Sequence, residues 1–220
     1  MLTDPKEDYA RGYVPFLDCK IFLDSKPLIP RVETEYWVEQ AITEIKKDSA
    51  GKQIKALDLF AGSGAIGIAI LKYVPESHMD FGEIERAHFP TILKSIRANA
   101  IDEERVEVIE TDVYSEITGT YDFIFANPPY LSKKNQGEIE SSVLVHEPHR
   151  ALFADEDGFA LIRKTIASAQ TYLLPGGTLY IEHDPEQSDL LLSLAKEEGL
   201  RGENRTDQFG RVRYSVLHRQ

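Results

Sequence analysis

The chain has 220 residues, 42% of them hydrophobic and 28% charged, with a formal net charge of −12. That balance fits one globular domain able to bury its own core, and excludes a largely disordered chain. No apolar run approaches the ~18–20 residues of a membrane span, and the stretch Met1-Leu2-Thr3-Asp4-Pro5-Lys6-Glu7-Asp8 is too polar for a signal peptide. The single cysteine, Cys19, excludes an internal disulfide and any cysteine-rich zinc site. The expectation is a soluble, cytoplasmic protein with no bound metal. It is too acidic to hold nucleic acid through counterion release, and basic protein segments suit its charge better.

In chain order, residues 1–32 carry short apolar stretches between breakers and read as an extended or hairpin appendage. Residues 33–220 read as the main domain. The spacing predicts a helix over 33–47, with Trp37, Ala41, Ile42 and Ile45 on one face, closed by Asp48-Ser49-Ala50-Gly51. Strands and helices then alternate: strand 54–59, helix 65–72, strand 78–84, helix 90–99, strand 106–109 and strand 121–126. A helix over 158–173 is closed by Pro175-Gly176-Gly177, followed by strand 178–182 and helix 186–198. Residues 201–205 and 213–218 read as a hairpin around Asp207-Gln208-Phe209-Gly210. Such alternation predicts an α/β fold built on an open, mostly parallel sheet, with ligands beyond the carboxyl ends of the strands.

The first strand of that series runs into Asp58-Leu59-Phe60-Ala61-Gly62-Ser63-Gly64-Ala65-Ile66-Gly67. Glycines let the backbone approach a ligand closely, and the following helix offers free N–H groups. Alone the GxGxxG spelling fits a dinucleotide as well as another nucleoside. Glu83 ends the next strand, where an acid accepts ribose hydroxyls, and Asp112 follows the third, where a carboxylate can receive an adenine amino group. Asp58 would repel a pyrophosphate but can hold an ammonium group, directly or through the loop amides. That favours S-adenosylmethionine over NAD.

Asn127-Pro128-Pro129-Tyr130 follows the strand 121–126 directly. Two successive prolines make a stiff turn without N–H groups of its own. A planar –NH2 group needs two acceptors, which the Asn127 side-chain carbonyl and the Pro128 backbone carbonyl supply, while Tyr130 gives a flat wall. Accepting both protons holds the nitrogen and raises its electron density towards an electrophilic methyl group.

With these motifs in place, the chain resembles the protein-glutamine N5-methyltransferases of the HemK-like release factor group over nearly its whole length. Ile29-Pro30-Arg31-Val32-Glu33-Thr34-Glu35 is similar to the family's IPRPETE, with Val32 for proline. Asp58 to Ile68 is similar to DLGTGSGAIGI, with Phe60-Ala61 for Gly-Thr. Asn127 to Tyr130 is the NPPY signature, and Glu147-Pro148, Asp157-Gly158, Pro175-Gly176-Gly177 and Glu182 match the segment behind it. His183-Asp184 stands where the family has a glycine.

The resemblance implies a Rossmann-like class I S-adenosylmethionine-dependent methyltransferase fold: a mostly parallel seven-stranded sheet, a C-terminal antiparallel hairpin and the short N-terminal hairpin. It implies that Phe60, Ala61, Gly62, Ser63 and Gly64 wrap S-adenosylmethionine, that Glu83 holds its ribose, and that Asp112 and Val113 frame its adenine. Asn127, Pro128 and Tyr130 would hold a glutamine amide, and Arg31 with Glu33 and Glu35 would shape the cleft wall or its lid. The implied substrate is the Gly-Gly-Gln tip of a release factor. An accessory partner would replace the helical domain that family members carry before the IPRPETE segment. The alternatives are another protein glutamine, as in a ribosomal protein, or the N6 amine of DNA adenine. The −12 charge and the lack of a spare target-recognition region oppose the DNA reading.

Overall fold

The computed structural model describes residues 4–49 and 51–220. Met1, Leu2 and Thr3 of the polar N-terminal stretch, and Ala50 of the expected helix stop, lie outside the described residues. Seven strands form one sheet. They are β3 (Ile54–Leu59), β4 (Ser77–Glu83), β5 (Val106–Glu110), β6 (Tyr121–Ala126), β7 (Leu173–Glu182), β8 (Leu200–Thr206) and β9 (Val212–Arg219), in the spatial order β5-β4-β3-β6-β7-β9-β8. β3 is parallel to both β4 and β6, while β9 runs antiparallel to β7 and β8. This is the mostly parallel sheet with a C-terminal antiparallel hairpin that the alternation predicts. The chain reverses its direction of winding between β3 and β6, so the cleft between their carboxyl ends is where a ligand belongs.

Alternate side chains leave opposite faces of the sheet. Ala56, Met79, Phe81, Phe125 and Tyr180 pack on one face against α2 (Val32–Ser49), α3 (Ala65–Tyr73) and α4 (Phe89–Ala98). Leu57, Leu59, Ile124, Leu179 and Ile181 pack on the other against α6 (Ala160–Tyr172) and α7 (Ser188–Glu197). Helix α3 lies close on β4 because residue 67 is glycine: a Cβ there would overlap the Phe81 ring. Trp37, Ala41, Ile42 and Ile45 are all buried, as their spacing in α2 requires.

The N-terminal hairpin forms from β1 (Tyr13–Phe16) and β2 (Cys19–Phe22). Its Val14, Phe16, Cys19 and Ile21 share a core with Trp37, Ile68 and Phe81. The outer edge of β2 is closed by α4: Asn99 accepts from the Lys20 amide and donates to its carbonyl, both at 2.9 Å, and Ser95 accepts from the Phe22 amide at 3.0 Å. Side chains that mimic a neighbouring strand protect an otherwise open edge.

Three local expectations change. Residues Pro5–Arg11 form a helix, α1, in place of extended chain. Asp4 caps it by accepting from the Lys6 amide, Pro5 opens it, and Gly12 at φ +80° stops it. Helix α6 ends at Tyr172, before the Pro175-Gly176-Gly177 segment. Leu173 already pairs with Tyr121, residues 174–177 loop out opposite Asp122, and pairing resumes between Thr178 and Phe123. Pro-Gly-Gly is thus a break inside β7 rather than the helix stop. Finally, residues 131–158 hold a short helix, α5 (Ser141–His146), and helical turns where no element was expected.

Candidate active site

β3 and β6 are neighbours with Leu59 opposite Ala126. The glycine loop and the Asn127 turn therefore leave the sheet side by side. The loop is tied to the end of β4: Ala61 donates to the Gly82 carbonyl at 3.1 Å, and the Gly62 amide donates to Glu83 Oε2 at 2.7 Å. Glu83 Oε1 accepts from the Glu85 amide at 2.7 Å. The acid expected to meet a ribose also braces the loop beneath it.

Asp58 is 1% exposed. Its Oδ2 accepts from the Gly67 amide at 2.9 Å, which satisfies one of the free donors of the first turn of α3. Its Oδ1 is buried with no partner. Burial, reinforced by the nearby Glu83 charge and opposed by the Gly67 hydrogen bond, pushes the carboxyl up to about 8. An unpartnered buried carboxylate oxygen is costly unless a ligand supplies the missing donor.

Two residues around this cleft hold left-handed backbone without being glycine: Phe60 at φ +60° and the β-branched Val113 at φ +57°. Each such conformation costs on the order of 1–3 kcal/mol and persists only where its surroundings dictate it. Asp112 is exposed, with Lys164 Nζ 3.7 Å from its carboxylate. Ile84, directly after Glu83, is 39% exposed and lines the same hollow as Asp112. It offers an apolar surface for a flat ring, and an apolar residue directly behind the strand-end acid is the signal that could have found it.

The turn at Asn127–Tyr130 is gripped from several sides. Gln187 Nε2 donates to the Tyr130 carbonyl at 2.9 Å, and the Tyr130 hydroxyl donates to Glu182 Oε1 at 3.0 Å. Glu182 Oε2 accepts from Thr34 Oγ1 and from Trp37 Nε1, both at 2.7 Å. Asn127 Nδ2 donates to Thr34 Oγ1 at 3.4 Å. Burial raises the Glu182 carboxyl above its usual range, while these donors and the Arg213 charge oppose the shift. Burial also drives the Tyr130 phenol far above its ordinary value, with the Glu182 charge adding to the effect, so its hydroxyl stays neutral.

The three acidic and basic residues of the IPRVETE segment part company. Arg31 pairs with Glu147 at 2.5 Å, and Glu147 Oε2 also accepts from the Ile29 amide at 3.2 Å. This buried carboxylate locks the segment to residues 131–158. Arg150, close behind, pairs with Glu85 beyond the end of β4, so the same stretch is fastened on both sides of the cleft. Glu35 turns away and accepts from the Leu17 amide at 2.6 Å, bracing the N-terminal hairpin turn. Glu33 lies partly exposed in the first turn of α2, and the segment's inward polar residue is Thr34. Thr34, Glu147 and Glu182 were not among the expected site residues. Each is defined by a partner far along the chain.

The chain matches the family model described as Methyltransferase small domain over residues 41–158. It is 34% identical over 212 residues to the release factor glutamine methyltransferase of Streptococcus pneumoniae, covering 95% of this chain and 73% of that protein. The Lactococcus lactis protein of the same name is 32% identical over 190 residues, covering 86% of this chain and 68% of its own length. Among solved structures, a ribosomal protein L11 methylase from Lactobacillus delbrueckii aligns with a TM-score of 0.61 at 13% identity, over 90% of this chain and 82% of that one. A 16S rRNA methyltransferase from T. thermophilus, solved with AdoMet and guanosine, aligns with a TM-score of 0.60 at 17% identity, over 94% of this chain and 49% of that one. The structural likenesses carry the fold, and the sequence likenesses carry the family: the chain belongs to the release factor glutamine methyltransferases.

Proposed function

We propose that this protein transfers a methyl group from S-adenosylmethionine to the side-chain nitrogen of a glutamine, and that the glutamine lies in the Gly-Gly-Gln tip of a release factor. The observation that carries the reading is the Asn127–Tyr130 turn standing beside the glycine loop. Among the described residues nothing hydrogen-bonds to Asn127 Oδ1, which leaves it ready to accept.

The residues present fit the cofactor. The buried, unpartnered Asp58 Oδ1 suits an ammonium group, Glu83 suits the ribose hydroxyls, and Ile84 with Asp112 and Val113 suits the adenine. Phe60 to Gly64 would wrap the remainder. When bound, S-adenosylmethionine supplies a methyl group on a sulfonium that leaves as a neutral thioether.

An amide nitrogen is a poor nucleophile because its lone pair is delocalised into the carbonyl. Asn127 Oδ1 and the Pro128 carbonyl accept its two protons, hold the group in one plane and return electron density to nitrogen. Pro129 keeps the turn stiff, and Tyr130, fixed at both its carbonyl and its hydroxyl, supplies the wall. No strong base is needed, and the proton of the product leaves to solvent. Arg31, locked to Glu147, forms part of the wall.

The residues before Ile29 pack into the core through Val14, Phe16, Cys19 and Ile21, and in this reading an accessory partner helps hold the whole factor. The reading places the protein in the cytoplasm, where release factors act. Nucleic acid is not a stable partner on this reading, given the −12 charge. The deciding experiment is mass spectrometry of a release factor incubated with the protein and labelled S-adenosylmethionine, with adenine-containing duplex DNA as a parallel substrate. Label on the Gly-Gly-Gln glutamine is the expected result. Label on another protein glutamine, or on DNA, overturns the substrate assignment.

A further inference from the structure

We infer that Thr34 and Glu182 are positioning residues which decide the end of the Asn127 amide that faces the cleft. The inference rests on the reading above, in which Asn127 accepts a proton from the substrate amide. The two ends of an asparagine side chain are nearly the same size, so shape does not choose between them. Only Oδ1 can accept a substrate N–H. An Asn127 that presented Nδ2 would repel the very group it should hold.

The contact to Asn127 comes from the Thr34 hydroxyl, with Oγ1 3.4 Å from Nδ2. A hydroxyl has one proton to give and lone pairs to offer, so a threonine alone would tolerate either orientation. Glu182 removes that freedom. Its Oε2 lies 2.7 Å from Thr34 Oγ1 and 2.7 Å from Trp37 Nε1. An indole nitrogen can only donate, which makes Oε2 an acceptor, and the Thr34 proton is committed to the same oxygen. The hydroxyl therefore turns a lone pair towards Asn127, Nδ2 points inward to it, and Oδ1 points to the cleft.

Burial makes the choice firm. Thr34 is 3% exposed, Glu182 1% and Trp37 0%, so water does not substitute for a lost partner. The same carboxylate holds the Tyr130 hydroxyl through Oε1 at 3.0 Å. One buried group thus sets the polarity of Asn127 and the position of the ring beside it.

The test compares Thr34→Val, close in shape but without the hydroxyl, with Thr34→Ser, which keeps it. The readouts are kcat on a Gly-Gly-Gln peptide, cofactor affinity, and the ratio of binding constants for that peptide and its Gly-Gly-Glu counterpart. A carboxylate has no proton for Asn127 Oδ1, so the wild-type ratio favours glutamine. In Thr34→Val the amide is free to turn. The glutamine preference and kcat are expected to fall about tenfold, the size of one neutral hydrogen bond, with cofactor affinity unchanged. Thr34→Ser is expected to restore both. Thr34→Ala reads the same ratio should valine fail to pack. A Thr34 that merely supports the fold would weaken both peptides alike, so an unchanged ratio, or a serine variant as impaired as the valine one, overturns the inference. A wild-type protein with no preference for the glutamine peptide, or normal turnover in Asn127→Ala, would instead sink the underlying reading of Asn127.

Discussion

Gly158 passes directly beneath the Tyr130 carbonyl, so closely that a Cβ on residue 158 would overlap the carbonyl oxygen. The backbone there is left-handed, at φ +89°, and Gln187 Nε2 reaches the same oxygen at 2.9 Å. The far end of the Asn127–Tyr130 turn is thereby set by a glycine 28 residues downstream of Tyr130. Gly158→Ala adds both a strained φ and a clash, and its expected cost is ~1–3 kcal/mol of stability. Turnover on a glutamine peptide should fall with it, because the clash lands on the turn proposed to hold the substrate amide. Urea denaturation and steady-state kinetics check the pair, and an unperturbed variant would mean that the turn is held elsewhere.

Asn127→Ala removes the side-chain acceptor and leaves the glycine loop untouched. The expected loss in kcat is on the order of 10²–10³, the range for one preorganised group, with cofactor affinity nearly intact. Asn127→Asp keeps an acceptor and should retain partial activity. Calorimetry for the cofactor and labelled-methyl transfer to the peptide separate binding from chemistry.

Asp58 gives a pH dependence with a definite sign. Its carboxyl rises from the ordinary 3.8 to about 8 in the folded protein. Between those values the native state holds a proton that the unfolded chain has lost. The Asp58 contribution to stability is therefore full below about pH 4, declines as the pH rises, and levels off above about 8. A bound ammonium group favours the ionised form, so cofactor binding at neutral pH should expel this proton. Calorimetry in buffers of different ionisation enthalpy measures the release. Asp58→Asn should abolish that release, weaken the cofactor and flatten this part of the stability profile. Identical proton release in the variant would contradict the assignment.

Glu147 carries two partners from the IPRVETE segment, the Arg31 guanidinium at 2.5 Å and the Ile29 amide at 3.2 Å. Replacing it with alanine strands both. Arg31 keeps 22% of its side chain exposed and so retains some water. The expected loss is about 3 kcal/mol, the lower end for breaking a buried pair. Chemical denaturation measures it. A loss within a few tenths of a kcal/mol would show that residues 131–158 are fastened by other contacts.

How much of this protein was legible in its sequence depends on how local the determining physics is. The expected limits of β3 and β6 agree with the structure to the residue, because each is a short, largely apolar stretch running into a turn of known chemistry. The Phe60–Gly64 loop and the Asn127–Tyr130 turn were legible for the same reason. Glycine and proline impose their backbone preferences wherever they stand, and strand alternation places both motifs at one end of the sheet. Helix α1 escaped because it is too short to show an apolar period, although Asp4-Pro5 and Gly12 carried its cap signals. The break inside β7 escaped because Pro-Gly-Gly stops a helix and loops out of a strand with equal ease, and only the pairing with β6 distinguishes the two. Thr34 and Glu182 are 148 residues apart, and Arg31 and Glu147 are 116. Hydrophobic period and turn chemistry report what a residue does to its own stretch of chain. Which carboxylate a buried hydroxyl meets is decided by the seating of β7 between β6 and β9 and by the docking of α2 across the sheet, and those are properties of the assembled fold alone.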